Sequence, residues 1–363
     1  MNIIHLVSNR VWGGGEQYVY DLCSHLKTDG HQVTVIHKPY KVLSDRFSEL
    51  DIPLYSMPLR GITDLISAVR LSRIIRNGNS IIHVHNYKDA FTACFARRIA
   101  GNDKARIILT RHLVKPGKNS CLYRWLYRQL DCIIFVSALA RDRFLSTAPD
   151  GIGDKSSVIH NSIITPDSLP DIDIRKEFGI NADSKIIMFH GRIEQEKGLD
   201  TLVDAFQTIK DDNLYLLLFG TGSKDYHDHL QEMIDNAGIS SRVRLAGFRN
   251  NITEYIRQTD IGVLPSIVPE ACPLSCMEYM SQGKCLIATD NGGQAEFIQS
   301  GQTGILVPPG DAQKLAEAII KATDSNVAGT IGKEAAEWFQ TNLSYGVFYR
   351  KITDIYAKLS ADK

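Results

Sequence analysis

The chain has 363 residues, 44% of them hydrophobic and 23% charged, with 41 basic and 41 acidic side chains. This length and composition are typical of a globular protein of two domains, and the balanced charge argues against nucleic acid as a partner. No apolar run approaches the roughly 18 residues of a membrane span, and the opening MNIIHLVSNR is too short for a signal-peptide core. The seven scattered cysteines, with no C-x-x-C motif, predict reduced thiols. We therefore expect a cytoplasmic protein.

In the first half, short β-branched runs alternate with stretches of helical period. The predicted strands are NIIHLVS, HQVTVIHK, SIIHVHN, ARIILTRH and CIIFVSA. This alternation predicts a parallel sheet with helices on both faces. The rhythm stops at TPDSLPDID, whose Pro, Asp and Ser content predicts a linker, so we place the joint near residue 165.

The alternation restarts after the linker and predicts a second α/β domain. Its predicted strands are KIIMFHGR, LYLLLFGTG, VRLAGF, DIGVLPS, CLIATD and GILVPP. We assign residues 1–165 to the first domain and 166–343 to the second, with an amphipathic helix at 344–363 that packs back on the first. Ligands of open parallel sheets lie at the carboxyl ends of the strands, so we expect the site in a cleft between the two domains.

Two loops of the first domain are candidates for ligand binding. RVWGGGEQ follows the first strand, and the glycines of this loop, Gly14 and Gly15 among them, allow close approach of a ligand to backbone amides that enter a helix. A plain flexible turn is the alternative. TRH ends another strand and places His112 at the carboxyl edge of the sheet, although a lone histidine is more often structural.

The stretch from Phe91 to Leu130 is strongly basic, with nine Lys or Arg residues against one acid. It is either a solvated face or a surface for a phosphate-bearing or membrane-embedded acceptor. On the second interpretation the rings of Tyr123, Trp125 and Tyr127 suit a membrane interface. The tentative acceptor contacts are Arg111, Lys115 and Lys118.

The loop HGRIEQEKG, after the first strand of the second domain, carries two cations. Arg192 offers a planar fork and Lys197 a point charge, a combination that suits a diphosphate and can replace a metal ion. The alternative is that Glu194 and Glu196 simply neutralise these cations. Gly191 in this loop, and Gly222 in the later turn FGTGS, are positions where a ligand could approach the backbone.

The stretch PEACPLSCMEYM places Glu270 and Glu278 eight positions apart. Along one helix that spacing is roughly 12 Å, whereas glycosidase carboxyls lie about 5 Å or about 6.5–9.5 Å apart. The pair therefore suits two parts of one extended ligand. Pro273 fits the first position of a helix that runs to Gly283, and the amides of Leu274 and Ser275 would be free at its start.

The order GGG, TRH, GRIEQEKG, FGTG, E-x7-E, DNGG and GILVPPGD resembles the retaining glycosyltransferases of family 4 over nearly the whole chain. The resemblance implies an α/β fold of the GT-B type, with two facing Rossmann-like domains and a cleft between them. It implies transfer of a sugar from a UDP- or GDP-sugar to a hydroxyl of a glycan or lipid-linked acceptor, in polysaccharide, lipopolysaccharide or glycolipid synthesis. No metal or cofactor is implied, and the protein would work in the cytoplasm or on the inner face of the membrane.

The resemblance also implies a role for each matching residue. Gly14 and Gly15 would approach the donor or the acceptor, and Arg192 and Lys197 would clamp the diphosphate. Glu270, with amides near Pro273, Leu274 and Ser275, would hold hydroxyls of the transferred sugar, and Glu278 would accept from the ribose. His112 would assist at the sugar, and Phe248 would contact the base. The chain departs from the family where E-A-C-P-L replaces E-G-F-G-L, and N-S-I-I replaces N-G-V-D.

Other interpretations remain open on the sequence. A nucleotide-sugar 2-epimerase, a phosphorylase or a non-catalytic nucleotide-sugar-binding module would share the fold. A thiol enzyme that uses Cys272 or Cys276 is a further alternative.

Overall fold

The computed structural model describes residues 1–165 and 171–361, which form two compact units. Unit 1 comprises Met1–Asn161 and Tyr345–Lys363, and unit 2 comprises Ser162–Ser344. Of the predicted linker, residues 166–170 lie outside the described residues. Within the described ranges, no helix is both long enough and apolar enough to span a bilayer.

Unit 1 is a seven-stranded sheet with helices between its strands. Its elements in chain order are β1 (Asn2–Val7), α1 (Gly14–Thr28), β2 (Gln32–His37), α2 (Lys41–Ser48), β3 (Leu54–Ser56), α3 (Leu65–Ile74), β4 (Ser80–Val84), α4 (Tyr87–Ala100), β5 (Arg106–Arg111), α5 (Cys121–Gln129), β6 (Cys132–Phe135), α6 (Ala138–Leu145) and β7 (Ser156–Val158). The strand order is β3-β2-β1-β4-β5-β6-β7, and all of these pairs are parallel.

Unit 2 repeats this plan with six strands. Its elements are α7 (Ile174–Phe178), β8 (Lys185–His190), α8 (Leu199–Thr208), β9 (Leu214–Phe219), α9 (Lys224–Asn236), β10 (Val243–Gly247), α10 (Ile252–Gln258), β11 (Ile261–Leu264), α11 (Leu274–Ser281), β12 (Cys285–Thr289), β13 (Ile305–Val307), α12 (Ala312–Ala322) and α13 (Ser325–Trp338). The order β10-β9-β8-β11-β12-β13 is again fully parallel. The two α/β sheets predicted from the sequence are thus confirmed.

The strand order reverses once in each sheet. The chain builds outward from β1 through β2 to β3, then returns to the other side of β1 with β4; unit 2 does the same around β8 and β11. At such a reversal the chain leaves the two neighbouring strands toward opposite faces of the sheet, and ligands of open α/β sheets bind outside the carboxyl ends of these strands. The loops after β1, β4, β8 and β11 are therefore the places where a site can form.

The last helix, α14 (Tyr345–Ala361), belongs to unit 1. Its apolar stripe buries Phe348, Ile352 and Tyr356 in the same core as Leu22 of α1. The Tyr356 hydroxyl is 2.6 Å from Nδ1 of His83 in β4. The helix thus closes one face of the first sheet and supplies a polar partner inside it.

Helix α11, which carries Glu278, is seated on the second sheet by the neighbouring Tyr279. A Cβ on Gly262 of β11 would lie 2.5 Å from the Tyr279 ring, so only glycine leaves room for it. The Tyr279 hydroxyl donates to the Met188 carbonyl at 2.7 Å. The helix begins one residue later than predicted, with Pro273 as its N-cap, a shift within the usual uncertainty of helix ends.

We expect Tyr356→Phe to lower the free energy of unfolding by about 1–3 kcal/mol, because it leaves a buried nitrogen of His83 without its partner. Urea unfolding measures the change. Tyr349→Phe is the matched control: it removes an exposed hydrogen bond to Asp29 from the same helix and should cost less than about 0.5 kcal/mol. Equal losses in the two variants would contradict the prediction.

Candidate functional site

The reversal in the first sheet opens a pocket of about 350 Å³ within unit 1. It is lined by residues at the ends of β1 and β5, in the loops after β1, β4 and β5, and in the first two turns of α1: Leu6, Val7, Ser8, Asn9, Gly15, Glu16, Val19, His85, Asn86, Arg111, His112 and Leu113. The lining combines an apolar floor with several polar groups, which is typical of sites for small polar ligands.

The glycine run lies at the mouth of helix α1. Gly13 is the extended N-cap, with a φ of −154°, and Gly14 begins the helix. At Gly15 a Cβ would meet no atom within 4 Å, so the wall of the pocket there is backbone alone. Gly15 lines the pocket, and its role in approach to a ligand stays a prediction.

Glu16 is a pocket residue that sequence reasoning missed. It is buried at 4% exposure, and its carboxylate accepts a hydrogen bond from the Asn9 side chain. Burial raises the pKa of Glu16 above its usual value. Behind it, Asp89 accepts from Ser8 at 2.8 Å, and burial raises the pKa of Asp89 to about 6.

Four histidines, His5, His83, His85 and His112, lie together at the back of this pocket, and three of them form a row. His112 Nε2 lies 3.3 Å from His85 Nδ1, and His85 Nε2 lies 3.3 Å from His5 Nδ1. The ring of Tyr18 stands edge-on to His112, with centroids 5.0 Å apart. A neutral imidazole has one donor and one acceptor nitrogen. Each ring in this row must therefore donate its hydrogen bond toward the same end of the row.

Burial keeps this cluster uncharged near neutral pH. Burial lowers the pKa of His5 to about 3. Burial, with the neighbouring Arg111 charge, lowers the pKa of His112 to about 4. Burial and the other rings also lower the pKa values of His83 and His85 well below the usual range. His112 therefore presents a neutral ring that can donate or accept a hydrogen bond at the pocket.

The nitrogens of His5, His83 and His85 lie within 4.8 Å of one another, as three metal ligands would. Both nitrogens of His83 are already hydrogen-bonded, to Tyr356 and to Thr110, each at 2.6 Å. We therefore assign these rings to hydrogen bonding in the core of unit 1.

The tentative acceptor residues fall in different places. Arg111 lines the pocket with its guanidinium 4.3 Å from the ring centroid of Tyr87. Lys115 and Lys118 are exposed and lie outside the pocket lining. The Lys118 ammonium instead donates to Tyr123 at 2.9 Å.

The basic stretch 91–130 is only partly a surface. Arg97 and Arg106 both pair with Asp131, at 2.9 and 3.3 Å, and so support the sheet. Of the predicted interfacial rings, Tyr127 is fully buried, and Trp125 stacks on Phe95 at 5.4 Å while staying half-buried. Helix α5 thus uses these rings to pack on α4, and a membrane contact of the half-buried rings stays a prediction.

In unit 2 the glycines hold adjacent loops together. A Cβ on Gly222 would lie 1.7 Å from the Ile193 carbonyl oxygen, and one on Gly198 would lie 2.1 Å from the Pro265 oxygen. Gly191 has a φ of +155° and sits against Phe189. These positions need glycine because backbones of the loops after β8, β9 and β11 touch there.

This packing brings Lys197 and Glu270 together across 73 residues. Lys197 Nζ lies 2.7 Å from Glu270 Oε2, and both side chains are largely buried. Ser266 donates to the other carboxylate oxygen. Asn291, from the DNGG turn, donates to the Ser266 and Ile267 carbonyls at 3.2 and 3.0 Å. The pair is thus fixed at the reversal point of the second sheet.

Arg192 stands at the rim of the same loop. Its guanidinium is bridged by Glu194 and Glu196, the alternative that the sequence had left open. The side chain is 62% exposed, so it remains accessible to an anion that competes with these carboxylates. Exposed ion pairs of this kind contribute little to stability.

Glu278 and the start of α11 complete the unit 2 group. Glu278 Oε2 lies 2.5 Å from Nε2 of His190, the last residue of β8. Within the described part of the chain, no side chain caps α11, so the amides of Leu274 and Ser275 stay available. Phe248, directly after β10, is 60% exposed.

The cysteines between the glutamates lie in the core. Cys272 and Cys276 are both buried. Burial raises the pKa of the Cys276 thiol well above its usual value. A reactive thiolate needs the opposite shift, so this environment disfavours the thiol-enzyme alternative.

Family models match both units. The model of the glycosyl transferases group 1 matches residues 171–338, and that of Glycosyltransferase Family 4 matches residues 12–165. Among curated relatives, the chain is 30% identical over 190 residues to the lipopolysaccharide core biosynthesis glycosyltransferase LpsE of Rhizobium meliloti, a match over 52% of this chain and 53% of LpsE. It is 26% identical to N-acetyl-alpha-D-glucosaminyl L-malate synthase of Bacillus anthracis, over 90% of this chain and 88% of that protein. The chain thus spans about half of the length of LpsE.

Solved structures establish the fold. The chain superposes on Anabaena Alr3699/HepE in complex with UDP with a TM-score of 0.85 at 19% identity, covering 99% of this chain and 100% of that one. The complex of the same Anabaena protein with UDP-glucose gives a TM-score of 0.82 at 20% identity, with coverage of 99% and 100%. The fold is GT-B, with two Rossmann-like units.

At pH 7 we expect wild type to have a larger free energy of unfolding than His5→Asn. This difference should shrink by about 2 kcal/mol between pH 7 and pH 5. The folded pKa of His5, about 3, lies below the 6.5 of the unfolded chain. As the pH falls below 6.5, the unfolded chain binds a proton that folded wild type excludes, which costs about 1.4 kcal/mol per pH unit. Unfolding in urea at both pH values measures this difference.

The control for this test is Ile3→Val, a buried change on the same strand that removes no titratable group. Its stability difference from wild type should be the same at both pH values. A difference for His5→Asn that stays constant or widens at pH 5 would show that His5 is charged in the folded protein.

Proposed function

This chain belongs to the group 1 glycosyltransferases of family 4, and we propose on that premise that it transfers a sugar from a nucleotide diphosphate sugar to an acceptor hydroxyl, with retention at the anomeric carbon. The observation that carries the proposal is the buried contact between Lys197 and Glu270 at the reversal point of the second sheet. The contact supports the proposal because the Lys197 cation suits a diphosphate and the Glu270 carboxylate suits sugar hydroxyls. The donor is a UDP- or GDP-sugar; solved relatives in complex with UDP and UDP-glucose support uracil.

Unit 2 supplies the charges that sugar transfer needs. When the bond between the sugar and the diphosphate breaks, negative charge grows on the leaving phosphate. Lys197 meets that charge at close range, and the exposed Arg192 adds a second cation once the phosphate displaces Glu194 and Glu196. Because these side chains can neutralise the leaving group, we propose that the reaction requires neither a metal ion nor a cofactor.

The same loops can orient the donor. Glu270, held by Lys197 and Ser266, accepts hydroxyls of the transferred sugar. The free amides at Leu274 and Ser275 add donors at the start of α11. Glu278 accepts from the ribose, and the exposed Phe248 can stack on the base. These contacts align the anomeric carbon for attack.

Unit 1 provides the acceptor side. Its pocket offers His112 as a neutral hydrogen-bonding ring, with Arg111 and Glu16 in the same lining. Such a mixture suits a polyhydroxylated acceptor, with the arginine available to a phosphate. We propose a glycan or lipid-linked acceptor, in polysaccharide, lipopolysaccharide or glycolipid synthesis, which the similarity to the lipopolysaccharide core biosynthesis glycosyltransferase LpsE supports.

We also propose that the protein works in the cytoplasm as a peripheral protein on the inner face of the membrane. Helix α3 supports this: Leu65, Ile66 and Val69 are exposed on it, next to the exposed Arg70 and Arg73. An apolar stripe flanked by arginines suits an anionic lipid surface, where each basic residue contributes about 1 kcal/mol.

The donor assignment is tested by thermal shift with UDP, GDP, ADP and their glucose conjugates. We expect the uridine or guanosine set to raise the midpoint of wild type by several degrees, and the shift to disappear in Lys197→Ala, which lacks the phosphate partner. Lys210→Ala, an exposed lysine of the same unit, should keep the full shift. Well-folded wild type that responds to none of these nucleotides would refute the proposal.

For the membrane proposal, we expect sedimentation with vesicles that contain an anionic phospholipid and weak sedimentation with neutral phosphatidylcholine. Ile66→Asp should release most of the bound protein, because it places a charge in the apolar stripe. Ile320→Asp changes an equally exposed isoleucine on α12 and should bind as wild type does. The surface is misassigned if the two variants bind alike.

A further inference from the structure

His190 is a buried polar residue that the sequence left without a role. It ends β8 and is 8% exposed. Its Nε2 lies 2.5 Å from Oε2 of Glu278, and its ring packs on Tyr279 with centroids 4.9 Å apart. The contact joins residues 88 positions apart, from the two sides of the strand-order reversal.

The chemistry of the two groups decides which of them donates the hydrogen bond. An ionised carboxylate only accepts hydrogen bonds, so the proton between the two groups belongs to His190 Nε2. The other nitrogen, Nδ1, is buried and has no hydrogen-bond partner among the described residues. His190 therefore interacts through one nitrogen only, and that nitrogen holds Glu278.

This contact changes what Glu278 can do. The Glu278 side chain is 25% exposed, with one oxygen held by the ring. The partial exposure leaves acceptor sites of the carboxylate accessible. A freely rotating glutamate side chain loses rotamer entropy when a ligand immobilises it. The contact with His190 restricts the Glu278 side chain before a ligand arrives and so lowers that cost.

We propose that His190 is a positioning residue that fixes the Glu278 carboxylate for the vicinal hydroxyls of the donor's ribose. This inference rests on the proposed function, in which Glu278 accepts from that ribose. Two adjacent hydroxyls suit an oriented carboxylate, because each hydroxyl can donate a hydrogen bond to it. His190 thus makes the donor site selective for ribose over deoxyribose.

The experiment measures affinity by isothermal titration with UDP, 2′-deoxy-UDP and 3′-deoxy-UDP, with the guanosine series run alongside. The variants are His190→Val and His190→Phe, which remove the donor, and His190→Gln, whose amide N–H can replace Nε2. The matched control is His229→Val, which breaks another histidine–carboxylate pair of unit 2, at 3.2 Å to Asp200.

In wild type, loss of a ribose hydroxyl should weaken binding about tenfold or more, since a hydrogen bond to a charged group is lost. In both donor-free variants we expect UDP to bind about three- to tenfold more weakly while the deoxy nucleotides bind as they do to wild type. The ratio of the affinity for UDP to that for a deoxy nucleotide, here called the deoxy penalty, would then fall to about threefold or less. His190→Gln should restore most of the penalty, and His229→Val should leave it unchanged.

A merely structural His190 would weaken all three nucleotides equally and leave the penalty at its wild-type size, which would overturn the inference while the proposed function stands. Wild type that binds no nucleoside diphosphate would overturn both. Two donor-free variants are used so that the failure of one to fold leaves the comparison intact.

Discussion

Everything functional in this chain depends on one constraint of open parallel sheets. All strands of a parallel sheet end at the same edge, and the single reversal of strand order makes that edge a place where residues from distant parts of the chain meet. In unit 1 this places Glu16, which follows β1, beside His85, which follows β4. In unit 2 it places Lys197, after β8, against Glu270, after β11. The same topology thus gathers polar side chains twice from distant parts of the chain.

The two units use this crevice with different electrostatics. In the unit 1 pocket, burial shifts two groups toward their uncharged forms: it raises the pKa of Glu16 and lowers that of His112 to about 4. In unit 2 the charged groups of the site form ion pairs, as Lys197 does with Glu270. A neutral histidine ring suits hydroxyl recognition, whereas paired charges can be redistributed when an anion arrives. The division of labour between acceptor and donor that we propose follows this difference.

Packing also explains how several of the predicted groups are used. Trp125, one of the predicted interfacial rings, packs on Phe95 of the neighbouring helix and stays half-buried. The cysteines beside Glu270 fill the core, as expected for small hydrophobic residues. Arg192 is bridged by the adjacent Glu194 and Glu196, since nearby opposite charges in one loop meet without tertiary help. Sequence patterns predict a contact well where the interacting residues are close together in the chain.

The two α/β sheets and the residues that follow strands could be predicted from the sequence, because hydrophobic period and glycine placement are local properties. The order of the motifs carried the resemblance to the family. The sequence could not determine that His190 holds Glu278, that Ser266 holds Glu270, or that His85 and His5 line up behind His112. These partners depend on which strands become neighbours and in what register, as when His5 pairs with His83 across β1 and β4. Only the tertiary structure decides such pairings, since strand order is set by packing of the whole sheet.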